Sequence, residues 1–296
     1  MTMVRWLLLF AMCWSAAGFA FLQPGRRASS GTASTAPRRI VSLAPNITEI
    51  LCALGVQEQI VGVTHNCDYP PAVAAKKKIG TFWQPNIEAI IALRPGLVIT
   101  LGFDKQSEIA ARLGRIGYPC VSVAIDCTED LFEAVEIIGS TVGADAAADR
   151  LAGAMREELH AVAARTAGRD KPKVLWVVQR DPLRVAGRDT FVNEIIEMAG
   201  GRNAIGRTLH KYPPLGSEQV IASEAEVIIE PTMRSHGDVD GQQRSAVRYW
   251  SRFPTLPAVT SQRICVIDGD LVSRLSPRLS RGVRSVARIL QPDLFE

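Results

Sequence analysis

The sequence predicts an α/β fold of two lobes joined by one long helix, and three observations carry that prediction. Short, β-branched apolar runs alternate with helix-like patterns, and a single long helical stretch without proline interrupts the alternation near mid-chain. A helix-to-strand segment of the first half also recurs in the second half at a fixed offset.

The alternation starts at Arg39. Residues 40–43, 60–64, 97–101 and 121–125 are brief, apolar and β-branched, as strands of a mostly parallel sheet are. Between the first two, Asn46 offers a helix cap, Ile47, Ile50, Leu51 and Leu54 form an apolar face, and Gly55 stops the helix. Residues 141–169 then read as one helix, with Leu151, Met155, Leu159 and Val162 on one face and charges on the other. About 25 helical residues cover more than about 30 Å, enough to join two lobes. Alternation resumes through residues 174–178, 191–199, 220–230 and 264–267. The predicted organisation is a first lobe over 39–140, a connecting helix over 141–170 and a second lobe over 171–296.

The repeat lies 130 residues apart, Glu88 against Glu218: Asn86-Ile87-Glu88 leading into Leu97-Val98-Ile99 resembles Ser217-Glu218 leading into Val227-Ile228-Ile229. Each copy reads as first-turn glutamate, apolar helix, turn and buried strand.

Composition narrows the function. With 296 residues, 47% hydrophobic and 22% charged, the chain buries a core and is not disordered. A net charge of +4 is too small to drive nucleic-acid binding through phosphates. The chain lacks G-x-S-x-G, P-loop, G-x-G-x-x-G and H-E-x-x-H patterns, so no catalytic chemistry is expected. Residues 1–22 carry one charge, Arg5, ahead of an apolar run ending in Gly18 and Ala20, which reads as a cleaved export signal; an uncleaved anchor, making the protein a membrane-tethered scaffold, is the alternative. Residues 23–38 read as a flexible linker. Cleavage removes Cys13 and leaves Cys52, Cys67, Cys120, Cys127 and Cys265, an odd number, so at least one is unpaired within the chain.

Several motifs carry a family resemblance. Arg39-Ile-Val-Ser-Leu-Ala-Pro-Asn-Ile-Thr-Glu49, Asp68-Tyr69-Pro70-Pro71, Phe82-Trp83, Asn86-Ile87-Glu88 and Ser276-Pro277-Arg278 are similar to those of the periplasmic cobalamin and iron-siderophore binding proteins of ABC importers, closest to the cobalamin branch. The resemblance spans about Arg39 to Pro292. It implies a helical-backbone periplasmic binding protein: two Rossmann-like lobes on one long α-helix, a corrinoid in the cleft, and delivery to a permease dimer. The protein is then expected to be an extracytoplasmic monomer without a resident cofactor, meeting the membrane only through the permease. A ferric siderophore or haem is the alternative ligand on the same scaffold.

A corrinoid is flat and apolar-rimmed with amide arms, so its cleft needs aromatic surfaces and scattered hydrogen-bonding groups. The resemblance assigns such contacts to Pro45, Asn46, Phe82, Trp83, Tyr212, Asp270 and Arg274, and His65 and Asn66 join them because they follow the strand 60–64 at its carboxyl end, where open α/β sheets present ligand sites. Most of them have a plainer structural role open to them. His65 can reach an amide or a metal, or serve as a hydrogen-bonded structural histidine. Phe82 and Trp83 can pack beneath their loop, Tyr212 on its prolines, and Asp270 and Arg274 on each other. Asn66 stands where cobalamin-binding members carry an aromatic residue, and Tyr212 where they carry a stacking tryptophan. Glu88 and Glu218 stabilise helix dipoles by position alone; the resemblance adds salt bridges to arginines of the two permease halves. Arg278, Arg281, Arg284 and Arg288 fall at helical spacing and read as the solvated face of a helix packed on its lobe.

Overall fold

The computed structural model describes residues 39–232 and 239–295. The expected export signal and linker lie outside the described residues. In the first lobe, β1 (Ile40–Ser42) is followed by α1 (Pro45–Ala53), β2 (Ile60–Val63), β3 (Lys77–Lys78), α2 (Ile87–Ala92), β4 (Leu97–Leu101), α3 (Asp104–Arg115) and β5 (Cys120–Val123). The five strands are parallel in the order β3-β2-β1-β4-β5, and central β1 is fully buried, with Val41 set against Gly62 and Val98.

Helix α1 begins two residues earlier than a cap at Asn46 predicts. Pro45 occupies its first turn, where a fixed φ and a missing N–H cost nothing, and Ala44 is the cap. Asn46 therefore sits inside the first turn and accepts a bond from the Ile47 amide at 3.0 Å.

The helix expected over 141–170 is shorter at both ends, and a separate helix of the first lobe runs up to it. Helix α4 (Thr128–Val142) ends at Gly143, which takes the left-handed conformation at φ 74°, and α5 (Asp145–Thr166) follows. Residues 141–142 thus belong to α4. The two helices pack closely: a side chain on Gly139 would come within 2.4 Å of the Ala148 methyl. At 1.5 Å per residue α5 is about 33 Å long. Its buried stripe is Ala148, Ala152, Met155, Leu159 and Val162, with Leu151 only partly covered.

The second lobe runs β6 (Lys173–Arg180), β7 (Leu183–Val185), α6 (Phe191–Met198), β8 (Arg202–Asn203), α7 (Ser217–Ala222), β9 (Val227–Pro231), α8 (Val239–Trp250), α9 (Pro257–Thr260), β10 (Ile264–Ile267), α10 (Gly269–Val272) and α11 (Leu279–Leu290). Its parallel strands follow the order β8-β6-β9-β10, with β7 antiparallel to β6. That order repeats the β2-β1-β4-β5 part of the first lobe. The sequence echo is therefore architectural: α2 and β4, shifted by 130 residues, coincide with α7 and β9.

One apolar core serves both lobes. It runs from Ile40 and Ile99 through Met155 and Leu159 of α5 to Trp176, Ile196 and Leu290. Val283 and Val286 of α11 enter it and Arg281, Arg284 and Arg288 face outward, but Arg278, expected on that solvated face, caps the helix with its side chain largely buried.

Candidate functional site

Parallel α/β sheets present ligand sites at the carboxyl ends of their strands. Those ends meet here: Leu101 closes β4, Ile125 follows β5, and Thr232 follows β9, and all three line a cleft of about 800 Å³ between the lobes. A second groove of about 630 Å³, lined by Lys171, Arg202, Glu226 and Arg263, sits where β6 and β8 begin.

Seven of the nine residues assigned to ligand contact line the cleft: Pro45, Asn46, His65, Asn66, Phe82, Asp270 and Arg274. The structure places the other two outside the lining. Trp83 is 62% exposed, edge-on to Phe82 at 4.8 Å and to Phe103 at 5.7 Å between ring centroids. Tyr212 is half-buried, packed on the shared core, with Arg184 donating to its carbonyl at 3.2 Å. Burial, then the nearby charge of Asp126, push its phenol above the ordinary value.

The loop carrying Phe82 is fixed from three sides. The Asn66 carboxamide accepts the Phe82 amide N–H at 2.9 Å, so this residue, standing in place of an aromatic, supports one instead. Buried Gln106 donates to the carbonyls of Phe82 at 3.1 Å and Leu43 at 3.0 Å, and accepts the Leu101 N–H at 2.8 Å. His65 Nδ1 lies 2.7 Å from the Gly80 carbonyl. A carbonyl only accepts, so Nδ1 carries the proton and Nε2 is the nitrogen left over. Gly80 has φ 99°, and a side chain there would strike the Gln84 carbonyl at 2.6 Å, so the loop closes only on glycine.

Sequence reasoning missed Asp68, Leu101, Ile125, Phe191, Thr232, Gly269, Ser273 and Leu275. The carboxyl-end rule applied to every strand, and not only β2, finds Leu101, Ile125 and Thr232.

The electrostatics of the cleft are decided by Arg274. Among the described lining residues it is the one lysine or arginine, and it is fully engaged: Nη1 meets Asp68 Oδ1 at 2.9 Å and Nη2 meets Asp270 Oδ1 at 2.7 Å. Burial works against its charge, but the hydrogen bond to Asp68 and the charges of Asp68, Asp270 and Glu49 outweigh it and hold the guanidinium above its usual range. The wall is thus apolar with scattered polar groups, and its cation is already neutralised.

Glu88 and Glu218 are exposed in the first turns of α2 and α7. Each helix precedes a parallel strand that ends at the cleft, so each glutamate starts on the cleft side of its own lobe. The Asn86 side chain caps α2 by accepting the Ala89 N–H at 2.8 Å; α7 has Gly216, whose N–H is taken by Gln219 at 2.8 Å.

Residues 40–271 match the periplasmic binding protein family. The chain belongs to that family. YvrC of Bacillus subtilis (strain 168), an uncharacterized ABC transporter substrate-binding lipoprotein, is 30% identical over 267 residues, covering 88% of this chain and 82% of its own. The vitamin B12-binding protein of Vibrio parahaemolyticus is 26% identical over 260 residues, covering 87% and 91%. In solved structures, the periplasmic haem-binding protein RhuT from Roseiflexus sp. RS-1 in apo form superposes with a TM-score of 0.73 at 28% identity, covering 88% of this chain and all of that one.

Proposed function

We propose that this periplasmic binding protein is the extracytoplasmic substrate-binding protein of an ABC importer, that it holds cobalamin or a related corrinoid in the interlobe cleft, and that it does no chemistry on the ligand. The observation that carries the choice of ligand is the neutralised Arg274. Anionic ferric siderophores and haem propionates need free cations in the wall, and the described lining offers only a guanidinium already held by Asp68 and Asp270. A corrinoid needs apolar surface for its ring and amide-compatible groups for its arms. Phe82, Leu101, Ile125 and Phe191 provide the first, and Asn46, Asn66, Thr232 and Ser273 the second. Glu88 and Glu218, one per lobe on the cleft side, serve as docking points for a two-fold permease.

One observation favours haem as a second reading: His65 lines the cleft with Nδ1 committed to a carbonyl, the arrangement that prepares an imidazole for axial ligation. Calorimetric titration of the purified protein with cyanocobalamin, cobinamide, haemin and a ferric siderophore tests the choice. Stoichiometric corrinoid binding is expected. Haemin binding with a Soret shift that His65→Ala abolishes, and no corrinoid binding, would establish the second reading instead.

A further inference from the structure

Two of the motifs singled out in the sequence, around Asp68-Tyr69 and Ser276-Pro277-Arg278, meet across the cleft. Arg278 donates from Nε to Glu49 Oε2 at 2.8 Å and from Nη2 to Glu49 Oε1 at 2.6 Å, and its guanidinium lies 4.0 Å from the centroid of the Tyr69 ring. Arg274 reaches the same Glu49 Oε1 at 3.5 Å while holding Asp68 through both terminal nitrogens, at 2.9 and 3.3 Å. Glu49, Asp68 and Tyr69 belong to the first lobe, and Arg274 and Arg278 to the second. The Glu49 side chain is 2% exposed.

A second polar bridge crosses between the lobes elsewhere. The Thr128 N–H, at the start of α4, donates to Glu194 of α6 at 2.8 Å. Ile125 and Phe191, each three residues before a bridge partner, line the cleft.

A carboxylate this deeply buried is stable only while its cations stay in place, and a two-nitrogen guanidinium grip fixes orientation as well as distance. Separating the lobes strands that charge. We propose that Glu49 is a positioning residue: from the first lobe it fixes Arg278 and Arg274 of the second, sets the width of the empty cleft, and holds Arg274 at its wall. The proposal rests on the preceding reading only in taking the cleft as the ligand site.

The test uses the full exported chain with Glu49→Gln, Arg278→Gln and the double variant, measured by small-angle scattering and by cyanocobalamin dissociation kinetics. Glu230→Gln is the comparator, because its carboxylate is buried and paired with Arg180 inside the second lobe. Wild type should scatter alike with and without ligand. Each single variant should expand when empty, contract when ligand is added, and release cyanocobalamin at least about tenfold faster; the double variant should be no worse than the worse single, since both cut one link. Glu230→Gln should lower the melting temperature and change neither readout. If Glu49→Gln and Arg278→Gln behave like Glu230→Gln, the positioning role is overturned. Should Glu49→Gln fail to fold, Arg278→Gln cuts the same link from the other lobe and decides alone. Should wild type not bind cyanocobalamin, the ligand reading fails while scattering of the empty variants still decides the clasp.

Discussion

Gln106 holds Phe82 through a single hydrogen bond, from its side-chain amide to the Phe82 carbonyl at 3.1 Å, while the same amide group spans the ends of β1 and β4. A fully buried glutamine thus positions a cleft aromatic without lining the cleft itself. Gln106→Ala leaves the Leu101 N–H and the Leu43 carbonyl without this partner, and should destabilise the protein by about 1–3 kcal/mol. Urea denaturation measures the loss, and a midpoint equal to wild type would contradict this account.

Phe82 and Trp83 are adjacent but differently placed, so their truncations should separate. Phe82→Ala should weaken cyanocobalamin binding by about tenfold or more, from lost apolar contact alone. Trp83→Ala, at the exposed rim, should change it by less than about threefold. Calorimetry on the two variants makes the comparison, and equal losses would mean that the rim, not the wall, grips the ligand.

Glu88→Ala combined with Glu218→Ala should abolish uptake through the cognate permease while leaving the ligand Kd unchanged. Each single substitution should reduce uptake partially. Transport assays in reconstituted vesicles, run beside calorimetry, check both halves, and a weakened Kd would place the glutamates in binding instead of docking.

Burial raises the Cys52 thiol from 9.0 to about 11, with Lys76 opposing and Glu49 and Cys67 adding. The folded state therefore favours the protonated thiol. The stabilisation is complete below about pH 9 and is lost as pH rises through about 11, and the half-buried thiols of Cys120 and Cys265 shift in the same direction. Site-resolved alkylation followed by mass spectrometry should show Cys52 slow at pH 8 and accelerating near pH 11. Fast labelling at pH 8 would contradict it.

Much of the fold was legible because it rests on local patterns. The strand at 97–101 and its copy 130 residues later needed only apolar runs with turns before them. The break at Gly143 was not legible: a glycine in a helical pattern reads as a tolerated interruption until its backbone is seen to be left-handed. In the cleft, proximity to a strand end gave His65 and Asn66. The choice of Phe82 over Trp83 depended on the hydrogen bond Phe82 gives to Asn66 and the one it takes from Gln106, which no spacing reveals. Least visible was the pairing of Glu49 with Arg278, 229 residues apart in sequence. Each end looked like an ordinary charged residue, and only folding makes them partners.

The apolar interior that passes from Ile40 through Met155 to Leu290 has no seam at the lobe boundary. Severing the chain at Gly143 would leave each fragment with a greasy wound where its counterpart belonged, so the halves should be insoluble when produced separately and recover only when refolded together. Although its architecture is a doubled one, the two lobes should unfold together.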